Sequence, residues 1–488
     1  MGFYQKLLGQ AEPGIGLSSC SPWCGAVMRL SLRRSLRFFL VTTMVVFVML
    51  NLHVLYNTPR AKSSEERAKS LHQSTGSEFH VQLSSDHTSS TSKHSVVIAP
   101  RVMNETNSTV NNQLRYHRNI SMNDSDALKL EVIRINTEQY VHNLDKFGID
   151  LGPNSLVIVI QTHDRPDYLK ILLDSMRKVK DIEKSLLIVS HDVYSQQLND
   201  LIESVDFCPV MQIFFPYAQQ IYKNEFPGEH PNDCPRNVKK EEAVALKCNN
   251  AEHPDKYGHY REAKYCQAKH HWIWKLHHLF EDLVLMKNYE GNVMLLEDDY
   301  YLSEDIIFST HMLRGLRERE CPDCRMLVLG NYDKNQNYDS NGAKAERAFW
   351  VSSKHNMGMT FNRSVWLEIK KCINEFCTFD DYNWDWTLQH LSMKCIPDKI
   401  KLLVMKASRI FHVGECGMHK KSSNCYPDNV VKQVETKLAE NHKHLFPNAV
   451  SIAGDSRFKL RDPKPNGGWG DIRDHNLCLH YFNSTSLR

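Results

Sequence analysis

SLVIVIQTHDRP, residues 155–166, is the stretch on which the fold turns. Leu156 to Ile160 form an unbroken apolar run rich in β-branched residues, too short for a helix and without the alternation of a half-exposed strand. Such a run reads as a strand buried on both faces. It stops abruptly at five polar residues, Gln161, Thr162, His163, Asp164 and Arg165. Pro166 then suits the first turn of a helix, and Tyr168, Leu169, Leu172, Met176 and Val179 fall on one face of it. SLLIVSHD (185–192), NVMLLEDD (292–299) and RMLVLGNY (325–332) repeat the pattern of a continuous apolar run closed by polar residues. Strands of this kind with helices between them predict an α/β protein, its Rossmann-like sheet mostly parallel and covered on both faces. The endings QTHDR, SHD and EDD then gather at the carboxyl edge of that sheet, where open α/β sheets bind ligands.

The third ending raises a question of charge. Glu297, Asp298 and Asp299 sit at the end of a buried strand, and each unpaired buried charge costs several kcal/mol. Two answers are open: the acids cap the next helix or pair with nearby basic groups, or they hold a divalent cation that in turn takes a phosphate-bearing ligand.

Three further stretches carry chemistry. CTFDDYNWDWTLQHL (377–391) interleaves Asp380, Asp381 and Asp385 with four large aromatics. Aromatic faces stack on sugar rings and a carboxylate takes protons from hydroxyls, but Trp384, Leu388 and Leu391 also have the spacing of a buried helix face. RIFHVGECGMH (409–419) offers His412 as an imidazole ligand of the kind Mn²⁺ accepts, or as an ordinary structural histidine. YREAKYCQAKHHWIWKLHHLF (260–280) mixes cations and aromatics, fitting a diphosphate or sugar contact and an amphipathic helix equally well.

Outside this core the chain has its own signals. FFLVTTMVVFVMLNLHVLY (38–56) is apolar, free of acids and of Lys and Arg, and long enough for a bilayer core of ~30 Å. Arg29, Arg33, Arg34 and Arg37 precede it, so the positive-inside rule predicts a single-pass anchor with residues 1–37 cytosolic and the rest lumenal. Residues 57–130 are rich in Ser, Thr, Asn, Lys and His and read as a disordered stem, leaving 131–488 as the catalytic domain. Sequons stand at Asn104, Asn107, Asn119, Asn123, Asn362 and Asn483, and twelve of the 14 cysteines follow residue 207, where an oxidising lumen favours disulfides. CPDC at 321–324 reads as a loop disulfide in that setting, with half a zinc site as the alternative. The 60 basic and 57 acidic residues nearly cancel and form no long block, which argues against a nucleic-acid partner.

The strings QTHDRPDYLKILLDSM, GHYREAKYCQAKHHWIWKLH, LLEDDYYL, HNMGM, FCTFDDYNWDWTLQ, RIFHVGECGMH and NGGWGDIRDHNLC, in this order, closely resemble the N-acetylglucosaminyltransferase II family, with gaps, from roughly 135 to 480. Golgi enzymes that use nucleotide sugars also carry acids at this kind of strand end. The resemblance implies a GT-A fold and a Golgi enzyme that moves GlcNAc from UDP-GlcNAc, with inversion, to the 2-hydroxyl of the α1,6-arm mannose of an N-glycan core already bearing GlcNAc on its α1,3 arm. Carried over residue by residue, it implies Mn²⁺ on Asp299 and His412, Asp385 as catalytic base, and substrate contacts at Gln161, Thr162, His163, Asp164, Arg165, Asp192, Gln267, Ala268, Lys269, His270, His271 and Asn356. It also implies the pairs Cys234–Cys248, Cys321–Cys324, Cys372–Cys395, Cys377–Cys478 and Cys416–Cys425, leaving Cys208 and Cys266 unpaired. One departure stands out: the family has an Arg where this chain has Gln336. Sibling β1,2-N-acetylglucosaminyltransferases acting on the α1,3 arm or on O-mannose, and a silent glycan-binding protein, are the alternatives. Whether the chain forms a homo-oligomer is left open.

Overall fold

The computed structural model describes residues 120–483 apart from 334–335, 415–426 and 459. The expected anchor at 38–56 and most of the expected stem lie outside these residues. Among the described residues no helix is long and apolar enough to cross a membrane.

The strand expected from the apolar run at Leu156 forms, extends through Thr162 and lies in the interior of a ten-stranded sheet. In chain order its members are β1 (Val141–His142), β2 (Leu156–Thr162), β3 (Leu186–His191), β4 (Val210–Phe214), β5 (Asn292–Glu297), β7 (Met326–Val328), β8 (Lys344–Phe349), β9 (Met359–Phe361), β10 (Lys401–Met405) and β12 (Ser451–Asp455). They lie side by side as β1-β4-β3-β2-β5-β9-β7-β10-β8-β12. A separate two-stranded ribbon pairs β6 (Tyr300–Leu302) with β11 (Ile410–His412).

β2 pairs parallel with β3 and β5, as the apolar runs predict, and β3 pairs parallel with β4, which the sequence reading did not single out. The sequence gives no hint of β9, a three-residue strand that enters antiparallel between β5 and β7. Because β9 opposes both neighbours, β7 still points the same way as β5, and β10 follows it in parallel. β2, β3, β4, β5, β7 and β10 therefore end at one edge.

Both faces of the central strands are buried, which is why their sequences do not alternate. Val157, Val159, Leu186, Ile188, Val293 and Leu295 join one core with Trp272, Ile273 and Leu276 of the Ala263–His277 helix. Ile158, Ile160, Leu187, Val189, Met294 and Leu296 join a second core with Leu169, Leu172 and Met176 of the Pro166–Met176 helix. Pro166 opens that helix as expected.

The ordered fold starts earlier than the composition suggested. A helix, Ser125–Glu138, begins inside the stretch read as stem, capped by Asp124 Oδ1 accepting from Ala127 N at 2.9 Å. Leu128, Val132 and Ile135, spaced four and three apart, bury one face against Tyr194 and Phe214. Asn123 stands exposed just before it.

Four of the five implied disulfides are formed: Cys234–Cys248, Cys321–Cys324, Cys372–Cys395 and Cys377–Cys478. The fifth, Cys416–Cys425, lies outside the described residues. Cys208 and Cys266 are buried thiols.

Candidate functional site at the carboxyl edge of the sheet

The five residues after Ile160 wrap around the end of β5. Asp298 Oδ2 accepts from Thr162 Oγ1 and from the His163 backbone N–H, each at 3.0 Å, and its other oxygen takes the Arg165 guanidinium. Arg165 also reaches Asp299 Oδ2 at 2.9 Å. Burial raises the Asp298 carboxyl to about 6 even with Arg165 beside it. Asp299 is held below its ordinary value, because His412 and Arg165 outweigh its burial. Glu297, half-buried on the same edge, is pushed up to about 7 by burial and by the neighbouring Asp299. The acidic triplet is thus answered in part by an internal cation, the first of the two readings of the sequence.

The second reading keeps its own observation. Asp299 Oδ1 is buried and has no hydrogen-bond partner among the described residues. His412 Nε2 lies 3.5 Å from Asp299 Oδ2, brought there by the β6–β11 pairing that sets His412 opposite Tyr300. Gly414 leaves the space beside them open: a Cβ there would stand 2.5 Å from Asp299 Oδ2 and 3.1 Å from His412 Cε1. An unfilled carboxylate oxygen, an adjacent imidazole and a cradle kept free of side chain fit a divalent cation that completes its shell from a ligand. Among the described residues, the three-ligand cluster Cys321, Asp323 and Cys324 is no such site, since its two sulfurs are bonded to each other.

One helix supplies the rest of the crevice. Gln267, His271 and Lys275 recur every four residues along Ala263–His277 and form one stripe facing the strand ends. Gln267 Nε2 donates to Asp192 Oδ2 at 2.9 Å, while Gln267 Oε1 accepts from Gln219 N at 2.7 Å. Asp192 Oδ1 pairs with His163 Nδ1 at 2.7 Å, and His271 Nε2 meets Ser190 Oγ at 2.8 Å. Burial works against charge on Asp192, yet His163 and His271 hold its carboxyl far below the usual range. Lys275 Nζ donates to Gln161 Oε1 at 2.7 Å, and burial lowers this lysine to about 7.

Lys269 and His270, expected at the substrate, lie on other faces of that helix and are bonded within the protein. Lys269 Nζ donates to the carbonyls of Asp381 at 2.8 Å and Phe379 at 3.1 Å, and lies 4.2 Å from the Trp469 ring centroid. His270 Nε2 meets Asp474 at 3.1 Å and its Nδ1 meets Tyr481 Oη at 3.0 Å. Ala268 is partly buried between the two faces, and Asp164 is exposed at the crevice mouth.

Asp385 emerges from the first turn of the Trp384–Lys394 helix. Leu388 and Leu391 of that helix are fully buried and Trp384 stacks on Trp272 at 4.6 Å, so the reading as a buried face holds for one side of it. Asp385 Oδ1 accepts from the Trp386 backbone N–H, at 2.9 Å. Burial raises its carboxyl to about 6, with Asp381 adding to the shift. Tyr300 and Tyr332 flank His412, with ring centroids 6.2 and 6.4 Å from it, and burial raises both phenols, the charges of Glu297, Asp299 and Asp385 adding to the shift. Asn356 Oδ1 accepts from Tyr332 Oη at 3.0 Å.

Gln336, at the departure from the family pattern, ties its own loop to the segment before β11. Its amide donates to Asn331 Oδ1 at 2.7 Å and accepts from Ser408 N at 2.8 Å. Sequence reasoning missed Lys275, Thr162's grip on Asp298, and Arg409. Arg409 is fully buried, paired with Asp305 at 2.7 Å, and ties the residue before β11 to the start of the Ile306–Glu320 helix.

The fold and this edge define an α/β protein with a polar ligand crevice at the carboxyl ends of its strands. A family model, N-acetylglucosaminyltransferase II (MGAT2), matches residues 129–478, and the chain belongs to that family. Over 353 residues it is 46% identical to the alpha-1,6-mannosyl-glycoprotein 2-beta-N-acetylglucosaminyltransferase of Rattus norvegicus, covering 72% of this chain and 79% of that one. The Homo sapiens protein of the same name is 45% identical over 351 residues (72% and 78%), and that of Arabidopsis thaliana 35% over 344 (70% and 77%). Among solved structures, S. aureus TarS 1–349 in complex with UDP-GlcNAc aligns at a TM-score of 0.27 and 12% identity, over 67% of this chain and 72% of that one. The mannosyltransferase PcManGT from Pyrobaculum calidifontis with GDP-Man and Mn²⁺ aligns at 0.27 and 11%, over 73% and 78%. Likeness at that level establishes nothing about this crevice.

Proposed function

We propose that the chain is an alpha-1,6-mannosyl-glycoprotein 2-beta-N-acetylglucosaminyltransferase of the GT-A fold. It transfers GlcNAc from UDP-GlcNAc to the 2-hydroxyl of the α1,6-arm mannose of an N-glycan core that carries GlcNAc on its α1,3 arm. The observation that carries this reading is the extent of the family match: residues 129–478 contain β2, β3 and β5 with their polar ends, together with Asp299, Asp385 and His412.

On this reading the strand ends hold the nucleotide diphosphate. Asp192, fixed by His163, His271 and Gln267, is a rigid ionised acceptor for a ligand N–H or O–H. Asp299 and His412 would hold Mn²⁺, which when bound supplies Lewis-acid stabilisation of charge on the diphosphate. Asp385, raised to about 6 by burial, is ionised at neutral pH yet basic enough to take a proton. The acceptor 2-hydroxyl oxygen attacks the anomeric carbon, its proton passes to Asp385, and the bond from that carbon to the UDP oxygen breaks with its electron pair leaving on UDP. One displacement turns the α-linked donor into a β1,2-linked product. The expected anchor makes the chain a single-pass type II protein of the Golgi membrane.

The test offers the purified protein, with UDP-GlcNAc and Mn²⁺, two trimannosyl-core N-glycans, one with and one without GlcNAc on the α1,3 arm. Linkage analysis of the product follows. β1,2-GlcNAc on the α1,6 arm of the primed glycan alone is the expected result. Transfer to the unprimed α1,3 arm would instead assign the chain to the sibling activity.

A further inference from the structure

Ser190, Gln161 and Glu297 are register neighbours, last in line on one face of β3, β2 and β5. They form a short polar row where the apolar core of that face ends, and the Ala263–His277 helix crosses it with two side chains one turn apart. His271 meets Ser190 at 2.8 Å, and Lys275 meets Gln161 at 2.7 Å. Lys275 is 2% exposed, and Gln161 Oε1 is its hydrogen-bond partner among the described residues. A buried lysine amine aimed through an apolar core at one amide oxygen is a costly arrangement for filling space alone.

The chemistry of the pair sets a direction. An ammonium group only donates, so the Gln161 amide faces it with oxygen and turns its NH₂ the other way. The Gln161 amide nitrogen makes no hydrogen bond among the described residues.

We propose that Lys275 is a positioning residue that locks the Gln161 amide with its N–H groups toward the crevice, so that this edge accepts a ligand carbonyl oxygen and rejects an amino group in its place. Resting on the proposed donor, the carbonyl belongs to the pyrimidine ring of the nucleotide, and the lock is one source of selectivity for uracil over cytosine. A site built to donate discriminates strongly, because a mismatched ligand leaves buried polar groups unpaired.

The test titrates UDP and CDP calorimetrically into the purified protein at pH 6.5, so it is independent of transfer. Wild type is expected to bind UDP at least about tenfold more tightly than CDP. Lys275→Met frees the amide to turn, weakening UDP by about tenfold and narrowing the UDP/CDP ratio. Gln161→Glu faces the crevice with acceptors only, and the ratio is expected to fall toward one or invert. Equal binding of the two nucleotides by wild type would overturn the proposal. So would a Lys275→Met protein that loses thermal stability while keeping the wild-type ratio, or a Gln161→Glu protein that still prefers UDP. For a Lys275→Met protein that fails to fold, the Gln161→Glu titration decides. Failure of the transferase reading shows separately, as absence of glycan product with the UDP/CDP ratio intact.

Discussion

Two acidic clusters face the crevice, and they divide their labour in the same way. In Glu297–Asp298–Asp299, Asp298 is saturated by a hydroxyl, a backbone N–H and a guanidinium, while Asp299 keeps a buried oxygen with no partner among the described residues. In the 380–385 cluster, Asp380 accepts from Trp469 N and Lys256 N, and Asp381 accepts from both the backbone and side chain of Asn383 and of Asn466. Asp385 has one neighbouring backbone N–H. Saturated carboxylates set the shape of a loop. Undersaturated ones, retained in burial at a cost, are the candidates for chemistry.

The largest effects should come from the undersaturated acids. Asp385→Asn keeps the shape and the Trp386 contact but removes the base, so turnover should fall by roughly 10²–10⁴-fold with UDP affinity and thermal stability near wild type. Near-normal turnover would remove Asp385 from the chemistry. In the wild type, kcat/KM should fall about tenfold per pH unit below about 6, because protonating this raised carboxyl eliminates the base form. A limb at pH 4, the ordinary carboxylate range, would show that burial does not tune it.

Next comes the Asp299 cradle. Gly414→Ala places a methyl 2.5 Å from Asp299 Oδ2 without touching either acid cluster chemically. Mn²⁺ affinity, read by titration calorimetry or by the resonance of the free ion, should weaken by about 10–100-fold, the scale of changes around a metal's own ligands. Unchanged affinity would place the metal elsewhere.

The saturated acids should behave differently. Asp381→Ala strands two backbone N–H groups and two side-chain amides between the 377–391 loop and the 466–469 segment, costing about 3 kcal/mol of stability. Turnover should drop with it while UDP binding stays, since the loop that carries Asp385 loosens and the strand ends do not. A stable Asp381→Ala protein would mean that Cys377–Cys478 and Lys269 suffice to hold that loop.

The contrast also marks what the sequence could reveal. β2, β3 and β5 were legible because double-sided burial writes an uninterrupted apolar run, and their common carboxyl edge followed. β9 was not, since three residues whose place is set by both neighbours carry no pattern of their own. In CTFDDYNWDWTLQHL the acids were visible but their division was not: Asp381 is saturated by Asn466, 85 residues away. The helix at 263–277 was read as either ligand-binding or amphipathic; it sets Gln267, His271 and Lys275 in one stripe at the strand ends and turns Lys269 and His270 into the protein. Lys275 did leave a signal, a lone cation inside WIWKL, where every neighbour is buried.

The smallest predicted effect tests how far saturation protects. Thr162→Val removes one hydroxyl from Asp298 and leaves the His163 N–H and Arg165 in place. The loss should be about 1 kcal/mol, the net value of one hydrogen bond, because neither remaining donor is orphaned. Donor KM should change less than about threefold, since the strand end keeps its shape. A larger loss would mean that the Thr162 bond, and not Arg165, decides where Asp298 points. The two clusters would then differ in kind: one held by a single hydroxyl from the adjacent strand, the other by a loop from the far end of the chain.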